Sequence, residues 1–405
     1  MSAPASSSKR YENFIVFLAP LINSVGGIAI DLFAPSIPAI GREFAVSAGT
    51  MQNSITVTLA FYAVGQIVFG LLTDGWGRRP SIVLGLILFL GGSLAAALAP
   101  SIEMLMVGRA LQGFAIGACQ VVSRALLVDN VGGARFRVAV VYLSLAYGLG
   151  PVVAPYVGGL VESTAGWRWN FGLYFVYGAL VLAFVGVGLR ESLEVSARQP
   201  LRACMKGYRS ILSDRTFLAA VLLLGASFST FLMWNVIGPF IVEERLGKDS
   251  AYFGSTALAV GSGYLLGTTL NRALLQRLAV AALMRCGLVL FGGGIGLIAT
   301  GGPDLDLPTL LGGTVLIAFG QGFLFSNAMA RTMSGFPRHA GSAASLQGCV
   351  MLSIGAAASG AVSAIPIESN VTVACMFAGL FAVALTGTCA LLRSPGTAAS
   401  APAAR

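Results

Sequence analysis

Apolar runs long enough to cross a membrane fill almost the whole chain, and short polar or Gly- and Pro-containing segments separate them. One helix needs about 20 apolar residues to span the hydrocarbon core of a bilayer. The pattern therefore predicts an all-α membrane protein. It places twelve transmembrane helices near residues 13–40, 50–73, 80–99, 103–127, 138–160, 170–190, 216–241, 252–273, 279–300, 308–330, 342–364 and 372–392.

One longer polar segment divides the predicted helices into two groups of six. We expect an N-terminal six-helix bundle at 1–190, a cytoplasmic linker at 191–215, a C-terminal six-helix bundle at 216–392 and a cytoplasmic tail at 393–405. The fourth and tenth predicted helices share the sequence Gln-Gly-Phe, which begins at Gln112 and at Gln321. Such internal similarity favours two related halves around a central cavity.

The composition excludes an ordinary soluble protein. Of the 405 residues, 56% are hydrophobic and 10% are charged, and the mean hydropathy is +0.83, whereas soluble domains contain about 25% charged residues. The six cysteines form no C-x-x-C pair, so we expect neither a disulfide framework nor a zinc site. No cofactor is expected.

The basic residues predict the orientation in the membrane. The net charge is +9, and the loops on one side of the predicted bundle hold nineteen Lys and Arg residues. The loops on the other side hold four, which are Arg42, Arg168, Arg245 and Lys248. Because cytoplasmic loops carry such an excess, we expect both termini in the cytoplasm and the chain in a bacterial inner membrane. Nucleic-acid binding is not indicated.

Asp31 and Arg109 are ionisable residues inside predicted helices. A charge there is costly unless it is paired or hydrated, so it suggests a functional site. If the first helix enters the membrane at Phe14, Asp31 lies ~25 Å along it, in the outer half. The fourth helix runs the other way from Met104, so Arg109 and Gln112 also lie in the outer half. The two charges can therefore meet at one depth. The alternative interpretations are that Asp31 is a helix-end acid in interfacial water and that Arg109 is a structural arginine.

The turn between the second and third helices reads Gly70-Leu71-Leu72-Thr73-Asp74-Gly75-Trp76-Gly77-Arg78-Arg79-Pro80. A basic turn that obeys the topology would explain Arg79 alone but not the whole string. The string resembles the cytoplasmic signature loop of the major facilitator superfamily, G-x-L-x-D-x-x-G-R-R. There the aspartate and the first arginine belong to a latch that holds the halves together when the cavity opens outward. The resemblance implies a cytoplasmic gate made of Gly70, Asp74, Gly77, Arg78 and Arg79.

The fifth helix contains the string Gly148-Leu149-Gly150-Pro151-Val152-Val153-Ala154-Pro155-Tyr156-Val157-Gly158-Gly159. Its glycines allow helix backbones to approach closely, so a packing stripe is the alternative interpretation. The string resembles the antiporter motif of the drug/proton antiporter branches, G-x-x-x-G-P-x-x-G-G. It differs because its last glycine pair lies several residues further on. The motif candidates are Gly148, Gly150, Pro151, Pro155, Gly158 and Gly159.

Four further segments resemble the Bcr/CflA group of drug/proton antiporters. They are Asp31-Leu32-Phe33-Ala34-Pro35-Ser36-Ile37-Pro38, Gly108-Arg109-Ala110-Leu111-Gln112-Gly113, Gly166-Trp167-Arg168-Trp169 and Ala340-Gly341-Ser342-Ala343-Ala344-Ser345. In that group the aspartate carries the coupling proton, and the arginine modulates its charge and transfer. The resemblance implies these roles for Asp31 and Arg109, together with alternating access of two halves and a monomer.

The seventh and tenth helices offer aromatic, Met and amide side chains, which suit a small amphipathic organic substrate. For each of these side chains, packing against lipid or a neighbouring helix is the alternative. The candidates for the substrate cavity are Asn23, Gln112, Phe228, Phe231, Trp234, Asn235, Phe323 and Asn327.

The expected function is the proton-coupled export of a small amphipathic compound, and the expected partners are protons, that substrate and the lipid bilayer. An exporter of an endogenous metabolite such as a siderophore is the first alternative, and an importer of the same fold is the second. An enzyme is not expected, because the sequence contains no H-E-x-x-H, G-x-S-x-G or P-loop motif. A membrane scaffold or sensor would have no evident use for a buried Asp and Arg.

Overall fold

A computed structural model of the chain describes residues 9–193, 211–334 and 340–393. Within these ranges it contains twelve helices of 20 residues or more and one shorter helix, and ten spans are long and apolar enough to cross a membrane. In chain order the helices are α1 (Lys9–Asp31), α2 (Ile37–Glu43), α3 (Ala48–Gly75), α4 (Arg78–Ala97), α5 (Ile102–Asn130), α6 (Gly133–Ala165), α7 (Trp167–Gly188), α8 (Arg215–Pro239), α9 (Ser250–Leu274), α10 (Val280–Ala299), α11 (Leu307–Ser334), α12 (Ala340–Ser363) and α13 (Asn370–Arg393). Most of the predicted linker and nearly all of the predicted tail lie outside the described residues.

The helices pack as two halves of six long helices each. In the first half, α5 packs against α3, α4 and α1, and α1 also packs against α6. In the second half, α11 packs in the same way against α9, α10 and α8, and α8 also packs against α12 and α13. The predicted fold class is confirmed. The division at residues 191–215 stays a prediction.

The two halves touch mainly along two helix pairs, α3 with α12 and α6 with α9. We call the end of the bundle at the α3–α4 turn the inner end, and the opposite end, which holds α2, the outer end. At the outer end, Ser250 Oγ donates to the Gly159 carbonyl oxygen at 3.2 Å. Towards the inner end, Ser345 Oγ donates to the Gln66 carbonyl oxygen, also at 3.2 Å. Which membrane side each end faces stays a prediction.

The first helix differs from its prediction as one continuous element at 13–40. It ends at Asp31, is followed by a 3-10 turn at Ala34–Ser36, and resumes as α2. Pro35 and Pro38 cause the break, because proline has no backbone N–H to donate to the carbonyl four residues earlier. The break leaves Asp31 as the last residue of α1.

The seventh predicted helix, 216–241, changes its hydrogen-bonding pattern near its predicted end. Helix α8 extends to Pro239, and a π-helical turn, Phe240–Arg245, continues it without a gap. This turn contacts α2 of the first half. Both spans that meet here therefore depart from the regular α-helix near the outer end.

Helices α3 and α5 approach so closely that only glycine fits at their contact. A Cβ atom at Gly113 would collide with the carbonyl oxygen of Thr58, and one at Gly65 would collide with that of Phe114. Small residues at such positions let transmembrane helices pack backbone against backbone. This contact fixes the position of α5, which carries Arg109.

We expect Gly113→Val to lower the free energy of unfolding by about 1–3 kcal/mol, because the added methyl groups push α3 and α5 apart. Thermal unfolding of the purified protein in detergent measures the effect. Gly91→Val on α4 is the matched control, since a Cβ atom there has no neighbour within 4 Å. Equal unfolding temperatures for the two variants would contradict this account of the packing.

Candidate proton-coupling and substrate site

Asp31 lies in the interior of the bundle, between the two halves. Asp31 is only 5% exposed, although it lies next to the break in the first span. Its Oδ1 atom accepts a hydrogen bond of 2.6 Å from Nδ2 of Asn235 on α8. Asn235 is itself buried. The carboxyl group of the first half is thus bound by an amide of the second half.

Arg109 is completely buried but has no acidic partner. Its Nη1 atom donates to the Ala29 carbonyl oxygen at 3.1 Å and to Oε1 of Gln112 at 2.9 Å. The guanidinium group lies 4.4 Å from the ring centroid of Phe33. Within the described residues, Nε and Nη2 have no hydrogen-bond partner, and no ion pair joins Arg109 to Asp31. The sequence predicts that these two groups meet; in this structure they do not form an ion pair.

Tyr174 on α7 is a further residue of this site that the sequence analysis misses. Its hydroxyl group donates to the Ala29 carbonyl oxygen at 3.1 Å, the same oxygen that accepts from Arg109. It is close enough to both Arg109 and Asp31 to interact with each electrostatically. A tyrosine in an apolar helix is expected to pack, so nothing in the sequence distinguishes it from its aromatic neighbours.

The amides of the first half support other polar groups. Gln112 Nε2 donates to Ser93 Oγ at 2.9 Å while its Oε1 accepts from Arg109, so Gln112 fixes the guanidinium group. Asn23 Nδ2 donates to the Leu143 carbonyl oxygen at 3.0 Å and thereby joins α1 to α6. Their predicted contact with substrate stays a prediction.

The candidates on the second half divide into packed and half-buried side chains. Trp234 is fully buried, and its Nε1 atom donates to Thr256 Oγ1 at 3.2 Å. Asn327 Nδ2 donates to Asn271 Oδ1 at 2.9 Å. Phe323 is fully buried, its ring 5.7 Å from that of Phe319, and Phe228 packs against Gly355.

Three half-buried rings form a separate group, which we call the aromatic trio. Phe231 on α8 and Phe325 on α11 both contact Tyr264 on α9, with ring centroids 6.1 Å and 6.3 Å apart. Phe231 is a predicted cavity residue, whereas Tyr264 is not. The trio joins three helices of the second half through apolar ring faces.

The predicted cytoplasmic gate is a network around Arg78. Its guanidinium group bonds to the Asp74 carboxylate at 3.0 Å and to the Asp129 carboxylate at 2.9 Å, and it also donates to the Thr73 carbonyl oxygen. Ser192 Oγ donates to the same Asp129 oxygen at 2.8 Å. Asp129 lies 51 residues from Arg78 in the chain, and local sequence does not connect them.

The glycine of this turn is required by its geometry. Gly77 has a φ of +122°, and a Cβ atom there would lie 2.5 Å from the Glu191 carboxylate. That carboxylate accepts from the backbone N–H groups of Arg78 and Arg79, both at 2.9 Å, and so caps the start of α4. Gly70 is buried in α3. Within the described residues, these contacts join α3, α4 and α5 of the first half to the start of the predicted linker at Glu191 and Ser192.

The predicted antiporter motif packs α6 against helices of both halves. A Cβ atom at Gly150 would lie 2.7 Å from Gly27 of α1, and one at Gly158 would collide with the Leu32 carbonyl oxygen. A Cβ atom at Gly159 would instead collide with the Ser250 carbonyl oxygen of α9. Gly148, Pro151 and Pro155 lie in the same helix. The glycines of the motif thus let α6 pack closely against α1 of its own half and against α9 of the other half.

A family model described as Major Facilitator Superfamily matches residues 20–360. This chain belongs to the major facilitator superfamily. It is 26% identical to Multidrug resistance protein D of Escherichia coli K12 over 350 residues, 84% of this chain and 86% of that protein. It is 25% identical to the Bicyclomycin resistance protein homolog of Haemophilus influenzae over 366 residues, 89% and 92% of the two chains. The predicted likeness to Bcr/CflA-type drug/proton antiporters is confirmed.

A solved structure supports the fold independently. The crystal structure of a D-xylose-proton symporter superposes with a TM-score of 0.74 at 15% identity, over 96% of this chain and 98% of that one. At this identity the likeness concerns the fold alone. The major facilitator protein described here is therefore a multi-pass membrane transporter.

In this transporter we expect Asp129→Asn to be more destabilising than Asp74→Asn. The side chain of Arg78 is 10% exposed, that of Asp129 is 20% exposed and that of Asp74 is 46% exposed. Removing the more buried partner should cost about 2–3 kcal/mol, and removing the exposed one about 1 kcal/mol or less. Thermal unfolding in detergent measures both. A larger loss for Asp74→Asn would contradict the ranking.

Proposed function

We propose that this transporter exports small amphipathic organic compounds across a bacterial inner membrane in exchange for protons, by alternating access of its two halves. The names of its relatives, which include multidrug and bicyclomycin resistance proteins, support export of toxic organic compounds. The observation that supports the coupling is the buried Asp31, which is bound by a neutral amide and forms no ion pair with any cation among the described residues.

Asp31 is the proposed proton carrier because its surroundings support two states. A carboxyl group buried in a membrane protein must either be neutral or be paired with a cation. In this structure it is bound by Asn235, while Arg109 of the same half has two N–H donors, Nε and Nη2, without a hydrogen-bond partner among the described residues. An ionised Asp31 can pair with Arg109, whereas a neutral Asp31 needs no cation.

The proton therefore enters from the outer side when Asp31 is exposed there, and leaves on the inner side after the halves have rocked. Because the proton and the substrate bind in opposite phases of the cycle, the proton gradient drives the substrate outward. The sequence resemblance suggests the same roles for these two residues.

The aromatic trio is the proposed contact for the apolar part of the substrate. Half-buried rings offer large faces at a small cost in side-chain entropy, and the trio presents no charge of its own. It lies on the second half, whereas the proton carrier lies on the first. In this proposal, substrate and proton bind to different halves of the protein.

We expect Asp31→Asn to abolish proton-driven export, because an amide cannot take up and release the coupling proton. Proteoliposomes with an imposed pH gradient, loaded with ethidium or chloramphenicol, measure probe export and proton movement together. The matched control is Asp306→Asn, which changes a half-buried loop acid in front of α11 and leaves its bond to Thr309 possible. Export by Asp31→Asn at the wild-type rate would refute the proposal.

We expect Tyr264→Leu to weaken ethidium binding by about threefold to tenfold, because it removes the central ring of the trio. Equilibrium binding to the purified protein measures the dissociation constant. Phe175→Leu serves as the control, since Phe175 is an exposed aromatic residue on α7, in the first half. An unchanged affinity for Tyr264→Leu would remove the trio from the binding surface.

A further inference from the structure

Asn235 occupies a distinctive place between the two halves. It lies in α8 four residues before Pro239, where the regular helix ends, and it faces the end of α1, where that helix is broken. Its hydrogen bond to Asp31 therefore joins the C-terminal end of α1 to the C-terminal part of α8. Other hydrogen bonds between the halves include those of the Ser250 and Ser345 hydroxyl groups to carbonyl oxygens and that of Ser250 to the Glu162 carboxylate. The bond of Asn235 differs because its partner is the proposed proton carrier.

The amide of Asn235 can pair with Asp31 in either protonation state. A primary amide donates through nitrogen and accepts through oxygen, so it can donate to a carboxylate and can also exchange two hydrogen bonds with a neutral carboxylic acid. The guanidinium group of Arg109 only donates, and its pairing with a carboxylate is charge-assisted. A neutral Asp31 therefore favours Asn235, and an ionised Asp31 favours Arg109.

The ionisable groups near Asp31 are compatible with this choice of partner. On the first half they are Arg109 of α5 and Tyr174 of α7, which share the Ala29 carbonyl oxygen as acceptor. On the second half, the side chain of α8 that binds Asp31 is the neutral amide of Asn235. Among the described residues no ion pair is formed by Asp31, and its bond to α8 does not compensate its charge.

We propose that Asn235 is a positioning residue that holds neutral Asp31 across the interface and thereby couples proton loading to closure of the outer end. The proposal rests on the role of Asp31 as proton carrier. When the O–H bond of Asp31 breaks and its proton passes to water on the inner side, the carboxylate turns to Nε and Nη2 of Arg109, and the hydrogen bond between α1 and α8 is lost. The outer end can then open with substrate bound.

The sequence pattern predicts a different role for Asn235, namely a contact with substrate. The two roles differ in what Asn235→Leu should change. A substrate contact alters the affinity for the transported compound. A positioning residue leaves that affinity unchanged and alters the dependence of the outer end on pH.

The test measures the distance between two spin labels across the outer end by double electron–electron resonance. Spin labels are placed at Ala48→Cys and Lys248→Cys, two exposed positions on opposite halves, in a protein whose six native cysteines are replaced. We expect the ratio of closed to open molecules to be about five- to tenfold higher at pH 5.5 than at pH 8.5, which is the effect of one hydrogen bond. In Asn235→Leu this difference should vanish, with ethidium affinity within about twofold of the wild type.

Three control variants separate this bond from other polar groups at the outer end. Asn370→Leu removes a buried amide that bonds to Thr309 within the second half. Glu162→Gln and Glu243→Gln remove acids near the interface, of which Glu162 accepts from Ser250 of the other half. All three should keep the response to pH. If Glu162→Gln or Glu243→Gln abolishes it and Asn235→Leu does not, the inference is overturned.

A second variant gives an answer even if Asn235→Leu does not fold. Asp31→Asn imitates the neutral acid, so its outer end should stay closed at both pH values. An outer end that is open at both pH values would overturn the inference. So would a wild-type protein without any response to pH. If the response exists and depends on Asn235 while proteoliposomes show no exchange of probe for protons, the proposed export fails and the inference stands.

Discussion

The energetic cost of a carboxyl group inside a membrane bundle is the constraint on which this structure depends. An acid at that depth must be neutral or paired, and its burial persists only if the surrounding side chains satisfy it. The break at Pro35 and Pro38 ends α1 at Asp31, the amide of Asn235 binds the carboxyl group, and Arg109 is held apart by Ala29 and Gln112. Each of these features keeps the acid in the interior without a fixed counter-ion.

The contacts between the halves are built so that they can form and separate. At Gly159 and Ser250 the surfaces meet through backbone and small side chains, and the same holds at Gly254 and Pro155. Such surfaces have few interlocked side chains, so their separation does not require the core of either half to repack. The charged network around Arg78 instead binds α3, α4 and α5 within one half. Rigid halves and a separable interface are what a rocking motion needs.

The sequence predicts the helices and the gate turn well, because hydropathy and local turn chemistry are encoded within a few neighbouring residues. It also places Asp31 and Arg109 at a similar depth, since helix rise is constant. It does not show that the carboxyl group turns to Asn235, because side-chain direction depends on packing between residues 204 positions apart. Asp129, Glu191 and Tyr174 escape sequence reasoning for the same reason. The break in α1 is different. Pro35 and Pro38 are present in the sequence, but a helix prediction from hydropathy alone ignores their effect on helix hydrogen bonds.

The two halves share a helix pattern but not its chemistry, and the proposed proton coupling accounts for this asymmetry. Arg109 stands three residues before Gln112, whereas Ala318 stands three residues before Gln321. Gln112 supports the guanidinium group, while the buried amide of Gln321 has no hydrogen-bond partner among the described residues. A second buried arginine would offer an ionised Asp31 a partner on the wrong half, and would hold the interface closed after the proton had left. In the proposed cycle, a second half without an arginine at the position of Ala318 lets the loss of one proton break the bond between the halves, so that a single titrating group drives the cycle.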